Sequence, residues 1–484
     1  MTSYPRLALY IAGEWRRDGL DKQAVLNPAT EAVLDELPLA RPADLDDALA
    51  AAASALPAWR AMPAIERCRI ILKAVELVRE RAESIAQVIS LEEGKPIGEA
   101  RAEIARASDL MEFMAHEGTR AYGRVIPARQ RGWRQTVLKE PLGVVAAFAA
   151  WNFPAITPAR KIAGPLAAGC TCILKAAEEV PGTAVELVRA FHDAGVPPGV
   201  VNLVFGNPPE VSSHLIPSPI VRKVTFTGST AVGRLIGEMA GRGIKPVTLE
   251  LGGHAPTMVF SDVDVGETAR LAVAAKFRNA GQICVSPTRF LIQETVYDEF
   301  VDHFVERAKA IRIGPGTDPS SGMGPLANSR RLDAMHAHIS DALGRGATLR
   351  TGGKRIGNGG FFWEPTVLTD VPADAKVMNE EPFGPLAVIA PFSSEEDAIA
   401  RANALPYGLA SYLFTSDADR QTEISSRLAA GLVGINSFNV GEPETPWGGV
   451  KDSGYGREGG IEGLESYFAA KYVSQAPSPR AARA

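Results

Sequence analysis

Residues 143–250 alternate short apolar runs with helical stretches, and this alternation constrains the fold more than any other feature of the chain. The runs are GVVAAFA, TCILK, VVNLVF, VRKVTFTG and KPVTLEL, and between most of them lie helix-like segments such as ELVRAFHDAG and TAVGRLIGEMAG. Apolar strands without polar alternation bury both faces, and the intervening helices supply the cover, so the pattern predicts an α/β fold with a parallel, doubly wound sheet. Ligands of such sheets settle beyond the carboxyl ends of the strands. Two of these strand ends carry polar chemistry: WNFP (151–154) after the first and FTGST (226–230) after the fourth.

The chain has 484 residues, more than one core usually serves, since single cores stop growing near roughly 250–300 residues. After residue 250 the alternation resumes with helical VGETARLAVAAKFRNAG, YDEFVDHFVERAKAI and SRRLDAMHAHISDALGRG and with strand-like PTRFLIQ, PLAVIAPF and ASYLFTS, which predicts a second α/β domain. The first 120 residues read mainly helical. Residues 65–94 form one amphipathic run that stops at Gly94, and ARAEIARASDLMEFMAHEG follows it. The arginine-rich stretch RVIPARQRGWRQTVLKEPLG reads as an extended arm, and the Ala/Arg/Pro tail at 476–484 is expected to fray.

A formal charge of −5 leaves no basic footprint for nucleic acid. The longest apolar run, VVAAFAAW (144–151), has the length of a strand and not of a membrane span. The N-terminal MTSYPRLALYIAGEWRRDG lacks the basic start and apolar core of a secretion signal, so a cytoplasmic location is expected. Of the four cysteines, Cys68 falls in a helical run, and Cys170 and Cys172 share one side of a strand with no further zinc ligands at typical spacing. These three read as packed free thiols, and no metal site is expected. Cys284 differs. It stands in FRNAGQICVSPTRF among small and polar residues, where a ligand could approach its sulfur.

Several other residues have the chemistry to work with that sulfur. Glu250 ends an apolar strand before two glycines; it is either a general base with a raised pKa or a salt-bridged structural carboxylate. Asn152 is either an amide donor to a developing oxyanion or a turn residue. In ILKAAEEVPG, Lys175 and Glu178 follow a strand end, as solvated charges or as partners of a ribose; a carboxylate there repels a 2′-phosphate and favours NAD over NADP. Gly228 and Ser229 open a helix whose N–H groups suit a phosphate, although an ordinary capped helix looks the same. A thiol nucleophile, a carboxylate able to activate water, an amide donor and a nicotinamide dinucleotide together specify oxidation of an aldehyde through a thioester.

With WNFP, FTGST, LELGG (249–253), GQICVSPTR (281–289), EEPFGP (380–385) and PWGGVKDSGYGRE (446–458) in order, the chain resembles the NAD(P)-dependent aldehyde dehydrogenases over nearly its whole length. The resemblance implies a Rossmann-type cofactor domain at 1–120 and 141–250, a catalytic domain at 251–440, and a small β oligomerisation arm with the C-terminal segment at 121–140 and 441–484. It implies that Lys175 and Glu178 hold the adenosine ribose, Ser229 a phosphate, and Glu381 and Phe383 the nicotinamide end. Trp151, Gly228 and Leu251 join the cofactor-binding set, and Lys161 and Glu458 form a polar network near the thiol. A homodimer or homotetramer is implied, because in this family the arm and the C-terminal strand pair between subunits.

Within the family the chain is most similar to succinate-semialdehyde dehydrogenases, which hold the distal carboxylate of the substrate with arginines. Arg160 and Arg278 fall on matching positions, and a guanidinium suits bidentate capture of a carboxylate. Two departures stand out: Gly441 replaces a serine that helps to bind that carboxylate, and Ser286 replaces a second cysteine near the nucleophile. The first leaves room for a longer ω-semialdehyde acid or for a broad aliphatic or aromatic range. The second argues against a redox switch in this loop.

Overall fold

A computed structural model describes residues 4–478. Residues 479–484 of the tail expected to fray lie outside the described residues. The strands of the described residues form four sheets.

The first sheet has eight strands in the order Gly454–Tyr455, Val247–Glu250, Val221–Thr227, Val144–Phe148, Thr171–Lys175, Val201–Val204, Leu9–Ile11, Glu14–Arg16. The five central strands are parallel, and both flanks are antiparallel. Val144–Phe148, Thr171–Lys175 and Val201–Val204 are buried at every position, as strands covered on both faces must be. Along the chain the order runs outward from Val144–Phe148 in one direction and then restarts on its other side at Val221–Thr227. The loops after these two strands are WNFP and FTGST, so both flank the crevice where the winding reverses.

The second sheet has seven strands, Thr348–Thr351, Thr366–Thr369, Leu386–Phe392, Pro287–Gln293, Ala255–Val259, Ala410–Phe414 and Leu432–Ile435, all parallel except the first. Its own core includes Phe290, Phe300, Phe304 and Tyr412. The third sheet is antiparallel: Phe468–Gln475 pairs along its length with Arg134–Pro141, which pairs with Arg124–Ile126. Among the described residues no helix is long and apolar enough to cross a membrane.

The structure departs from the sequence reading in four places. Residues 9–38 hold four short strands where a mainly helical region was expected; with lengths of three to six residues they are too short to show a period. The run at 65–94 is two helices, Ala64–Glu80 and Ala82–Glu92, broken at Arg81 (φ −94°, ψ 5°), whose carbonyl accepts from the Ser84 hydroxyl. The helix read through 281 ends at Phe277, because Asn279 and Ala280 turn to φ 49° and 51°. Within the 441–484 segment, Gly454–Tyr455 leaves the arm and pairs with Leu249 and Glu250 at the edge of the first sheet.

Candidate active site

Cys284 sits in the loop between the Arg278–Gly281 turn and the Pro287–Gln293 strand, half-buried and facing a cavity. The loop lies close against the glycines that end LELGG: a Cβ at Gly253 would stand 2.7 Å from the Cys284 carbonyl oxygen. Burial pushes the Cys284 thiol up to about 12, with the Glu381 and Glu250 carboxylates adding to the shift and Arg160 opposing it. These surroundings make the sulfur hold its proton more tightly than an ordinary thiol does.

The cavity holds about 100 Å³, and Cys284, Glu250, Asn152, Arg160, Arg278 and Glu458 all line it. Glu250 ends the Val247–Glu250 strand and is 3% exposed, and neither carboxylate oxygen has a hydrogen-bond partner among the described residues. Burial, then the neighbouring Glu458 charge, raises its pKa well above the ordinary carboxylate value, against the opposing pull of Arg160 and Lys161. Its approach is permitted by Gly448 (φ +155°), where a Cβ would stand 2.8 Å from Glu250 Oε1. A salt-bridged structural carboxylate would have a partner for its oxygens, and among the described residues this buried one has none.

Asn152 follows the Val144–Phe148 strand and is buried. Its Nδ2 donates to the Gln282 carbonyl at 3.0 Å, which uses one of its two N–H groups and ties the amide to the cysteine loop. Arg160, on the Ile156–Ala168 helix, lies 4.6 Å over the Trp447 ring, and its Nε has no hydrogen-bond partner among the described residues. Burial lowers its pKa, opposed by Glu458 and Glu250. Arg278 is exposed at the mouth. Behind the cavity Lys161 is fully buried and donates to Glu458 Oε1 at 2.7 Å and to Thr225 Oγ1 at 3.0 Å, and Thr225 donates to the same Glu458 oxygen at 2.7 Å. Burial opposes ionisation of Glu458, but Lys161 and Arg160 outweigh it and hold the carboxyl below its ordinary value.

A second cleft, of about 570 Å³, opens where the first sheet ends, lined by Phe148, Lys175, Phe226, Val232, Ile236 and Arg242 among others. Lys175 Nζ lies 2.6 Å from Glu178 Oε1, and the Gly206 N–H donates to the same carboxylate at 3.3 Å. Ser229 caps the Thr230–Arg242 helix, its hydroxyl accepting from the Val232 N–H at 3.4 Å. The Gly228 N–H donates to the Glu250 carbonyl and the Val232 N–H is taken by Ser229, which leaves the Thr230 and Ala231 N–H groups at the start of that helix as candidate donors to a phosphate. Toward the cysteine, Glu381 accepts from the Gly253 N–H at 3.1 Å, and burial raises its pKa to about 7. Phe383, at φ 45°, meets Trp151 edge-on with centroids 5.5 Å apart. Leu251 lines the cysteine cavity itself, next to Glu250. An apolar slot, a carboxylate at its side, a helix N-terminus and a second carboxylate near the thiol fit a dinucleotide.

Sequence reasoning missed several wall residues. Arg106 lines the mouth beside Arg278 and pairs with Glu442 at 2.7 Å. Phe153, Ile156, Phe438, Val440 and Trp447 give the cavity an apolar and largely aromatic lining. Only the PWGG motif signalled Trp447; nothing in the helical pattern around Arg106 set it apart.

The family model described as "Aldehyde dehydrogenase family" matches residues 15–473. The 4-(hydroxymethyl)benzenesulfonate dehydrogenase of Comamonas testosteroni is 48% identical over 466 residues, which cover 96% of this chain and 97% of the relative. The NADP(+) succinate-semialdehyde dehydrogenase of Escherichia coli K12 is 43% identical over 465 residues, 96% of each chain. Among solved structures, the succinate-semialdehyde dehydrogenase of Burkholderia pseudomallei matches with a TM-score of 0.96 at 42% identity, over 99% of both chains.

Proposed function

We propose a function from the premise that the chain belongs to the aldehyde dehydrogenase family: it oxidises an aldehyde bearing a distal anion, such as succinate semialdehyde, to the acid, with NAD and through a thioester on Cys284. The observation that carries this reading is the convergence on one cavity of Cys284, Glu250, Asn152 and an Arg160 whose Nε has no hydrogen-bond partner among the described residues.

In the first step the Cys284 sulfur adds to the carbonyl carbon as its proton is released to solvent. The second Asn152 N–H and the Cys284 backbone N–H stabilise the resulting oxyanion. When bound, the nicotinamide supplies a two-electron acceptor, and what remains on the chain is a thioester on Cys284. Glu250 then takes a proton from water as that water adds to the thioester, and the Cys284 sulfur leaves as the acid is released. Lys161, hydrogen-bonded to Thr225 and Glu458, makes Glu458 a weaker base, so that it does not compete for this proton. Lys175, Glu178 and Ser229 would hold the adenosine end of the dinucleotide, with Trp151, Leu251, Glu381 and Phe383 at the nicotinamide end.

Arg160 and Arg278 provide the anion site. Arg160→Met is expected to lower kcat/KM for succinate semialdehyde by about 10- to 100-fold, the loss of about 1.5–3 kcal/mol from hydrogen bonds to a charge, and to leave butanal almost unchanged. Rates on a panel of succinate semialdehyde, butanal and benzaldehyde test this; equal losses on all three would remove the anion role. A second reading, an aromatic aldehyde with an anionic substituent, draws support from the Phe153, Phe438 and Trp447 walls and from the Comamonas relative. Addition of 4-carboxybenzaldehyde to the panel separates the two.

NAD is favoured over NADP by Glu178, whose carboxylate would face a 2′-phosphate with like charge; the E. coli relative carries NADP(+) in its name. Glu178→Gln is expected to raise the NADP/NAD ratio of kcat/KM by about tenfold or more, read from initial rates with each cofactor. An unchanged ratio would count against the ribose role. The exposed Val125, Leu138 and Tyr472 on the third sheet, with exposed Tyr122 just before it, support self-association into a dimer or tetramer. Four free cysteines suit a reducing, cytoplasmic setting.

A further inference from the structure

Lys95 lies 2% exposed between the Ala82–Glu92 and Ile97–Gly118 helices, on no strand end and in no motif used above. Its ammonium pairs with Glu103 Oε2 at 2.5 Å and donates to the backbone carbonyl of Asn152 at 3.0 Å. The other Glu103 oxygen accepts from the Ala155 and Ile156 N–H groups at 2.8 and 3.2 Å. The two side chains therefore grip the Asn152–Ile156 turn at both ends, one by its carbonyl and one by its N–H groups. Asn279 Nδ2 donates to the same Asn152 carbonyl at 3.0 Å, and Glu99 accepts from the Asn279 N–H at 2.9 Å. Lys95 also lies 4.2 Å over the Phe153 ring, a wall of the substrate cavity.

A buried ion pair adds little net stability over an apolar pair of the same shape, so stability alone does not account for Lys95 and Glu103. Their contacts converge on the residue read above as the oxyanion donor. We propose that Lys95 is a positioning residue for carbonyl addition: paired with Glu103, it fixes the Asn152 turn so that the amide faces the cysteine loop. This rests on the proposed thioester chemistry and extends it to a residue that never touches the substrate. A donor misaimed by a fraction of an ångström loses much of what a deleted donor loses.

The test compares two reactions of the same sulfur. Aldehyde oxidation develops an oxyanion; alkylation of Cys284 by iodoacetamide does not. The charges that act most on the sulfur are Glu381, Glu250 and Arg160, not Lys95. The full-length Lys95→Met protein is expected to lose about 30- to 100-fold in kcat/KM for aldehyde while its alkylation rate stays within about twofold of the parent. Because Lys95→Met strands the Glu103 carboxylate, Lys95→Met/Glu103→Gln is made as well: its amide oxygen still accepts from Ala155 and Ile156, and the same split is expected. Oxidation within about threefold of the parent in the double variant, or alkylation that falls in parallel with oxidation, overturns the proposal. Asn152→Ala is run beside them: if it oxidises aldehyde normally, the oxyanion reading fails first, whereas a slow Asn152→Ala with a normal double variant removes only the role of Lys95.

Discussion

Cys284→Ser is expected to reduce aldehyde oxidation by at least about a thousandfold, as loss of a covalent nucleophile does in other enzymes, while the affinity for NAD stays close to that of the parent. The substitution changes one atom and leaves the cavity nearly the same shape, so the loss isolates nucleophilicity. A hydroxyl holds its proton far more tightly than a thiol. The site already taxes ionisation, since burial and the Glu381 and Glu250 charges push even the thiol up to about 12. Only a nucleophile that ionises more readily than a hydroxyl can work in such surroundings. The cleft proposed for the cofactor is lined by Lys175, which pairs with Glu178, and by the Thr230–Arg242 helix, and the sulfur is not part of it. Steady-state rates and a fluorescence titration with NAD check both halves; turnover within tenfold of the parent would remove Cys284 from the reaction.

Glu250→Gln is expected to separate the two halves of the cycle. Hydrolysis of the thioester needs a base for water, and loss of a general base costs about 10²–10⁴; in the variant, one equivalent of reduced cofactor should form per subunit before turnover nearly stops. The fold should tolerate the change, because the amide is neutral and the carboxylate it replaces is buried with no hydrogen-bond partner among the described residues. The pH dependence has a definite sign. Burial and Glu458 raise the Glu250 pKa, and the group works only when ionised, so kcat of the parent falls as pH drops through a limb well above the ordinary carboxylate value of 4.5. Glu250→Gln should lack that limb. Stopped-flow absorbance of the reduced cofactor across pH measures burst and limb together. A variant with no burst, or with the limb intact, would place the base elsewhere.

What the sequence made legible follows from the range of the interactions involved. The strands at 143–250 announced themselves because each is a local run, and WNFP and FTGST could be placed at strand ends for the same reason. Strand order is not local: that these two loops flank the crevice follows from Val221–Thr227 pairing beside Val144–Phe148, across more than seventy residues of chain. Cys284 stood out because small polar neighbours are a poor core. Its loop geometry did not, because the positive φ of Asn279 and Ala280 falls on residues with no glycine signal. Arg106 and Lys95 were invisible for a different reason. Each lies on or beside the helices of residues 82–118 and reaches the site only through tertiary packing, and one exposed or buried cation in a helical region looks like any other. The break at Arg81 was likewise hidden, since the amphipathic period continues through it.

The central claim is that a covalent acyl group resides on Cys284. Its most direct test mixes the Glu250→Gln protein with NAD and succinate semialdehyde, quenches in acid, and maps the tryptic peptide spanning residues 279–289 by mass spectrometry. The account expects that peptide to carry the succinyl group on Cys284, in amount equal to the reduced cofactor formed. Reduced cofactor without an adduct on that peptide, or an adduct on another residue, would contradict it.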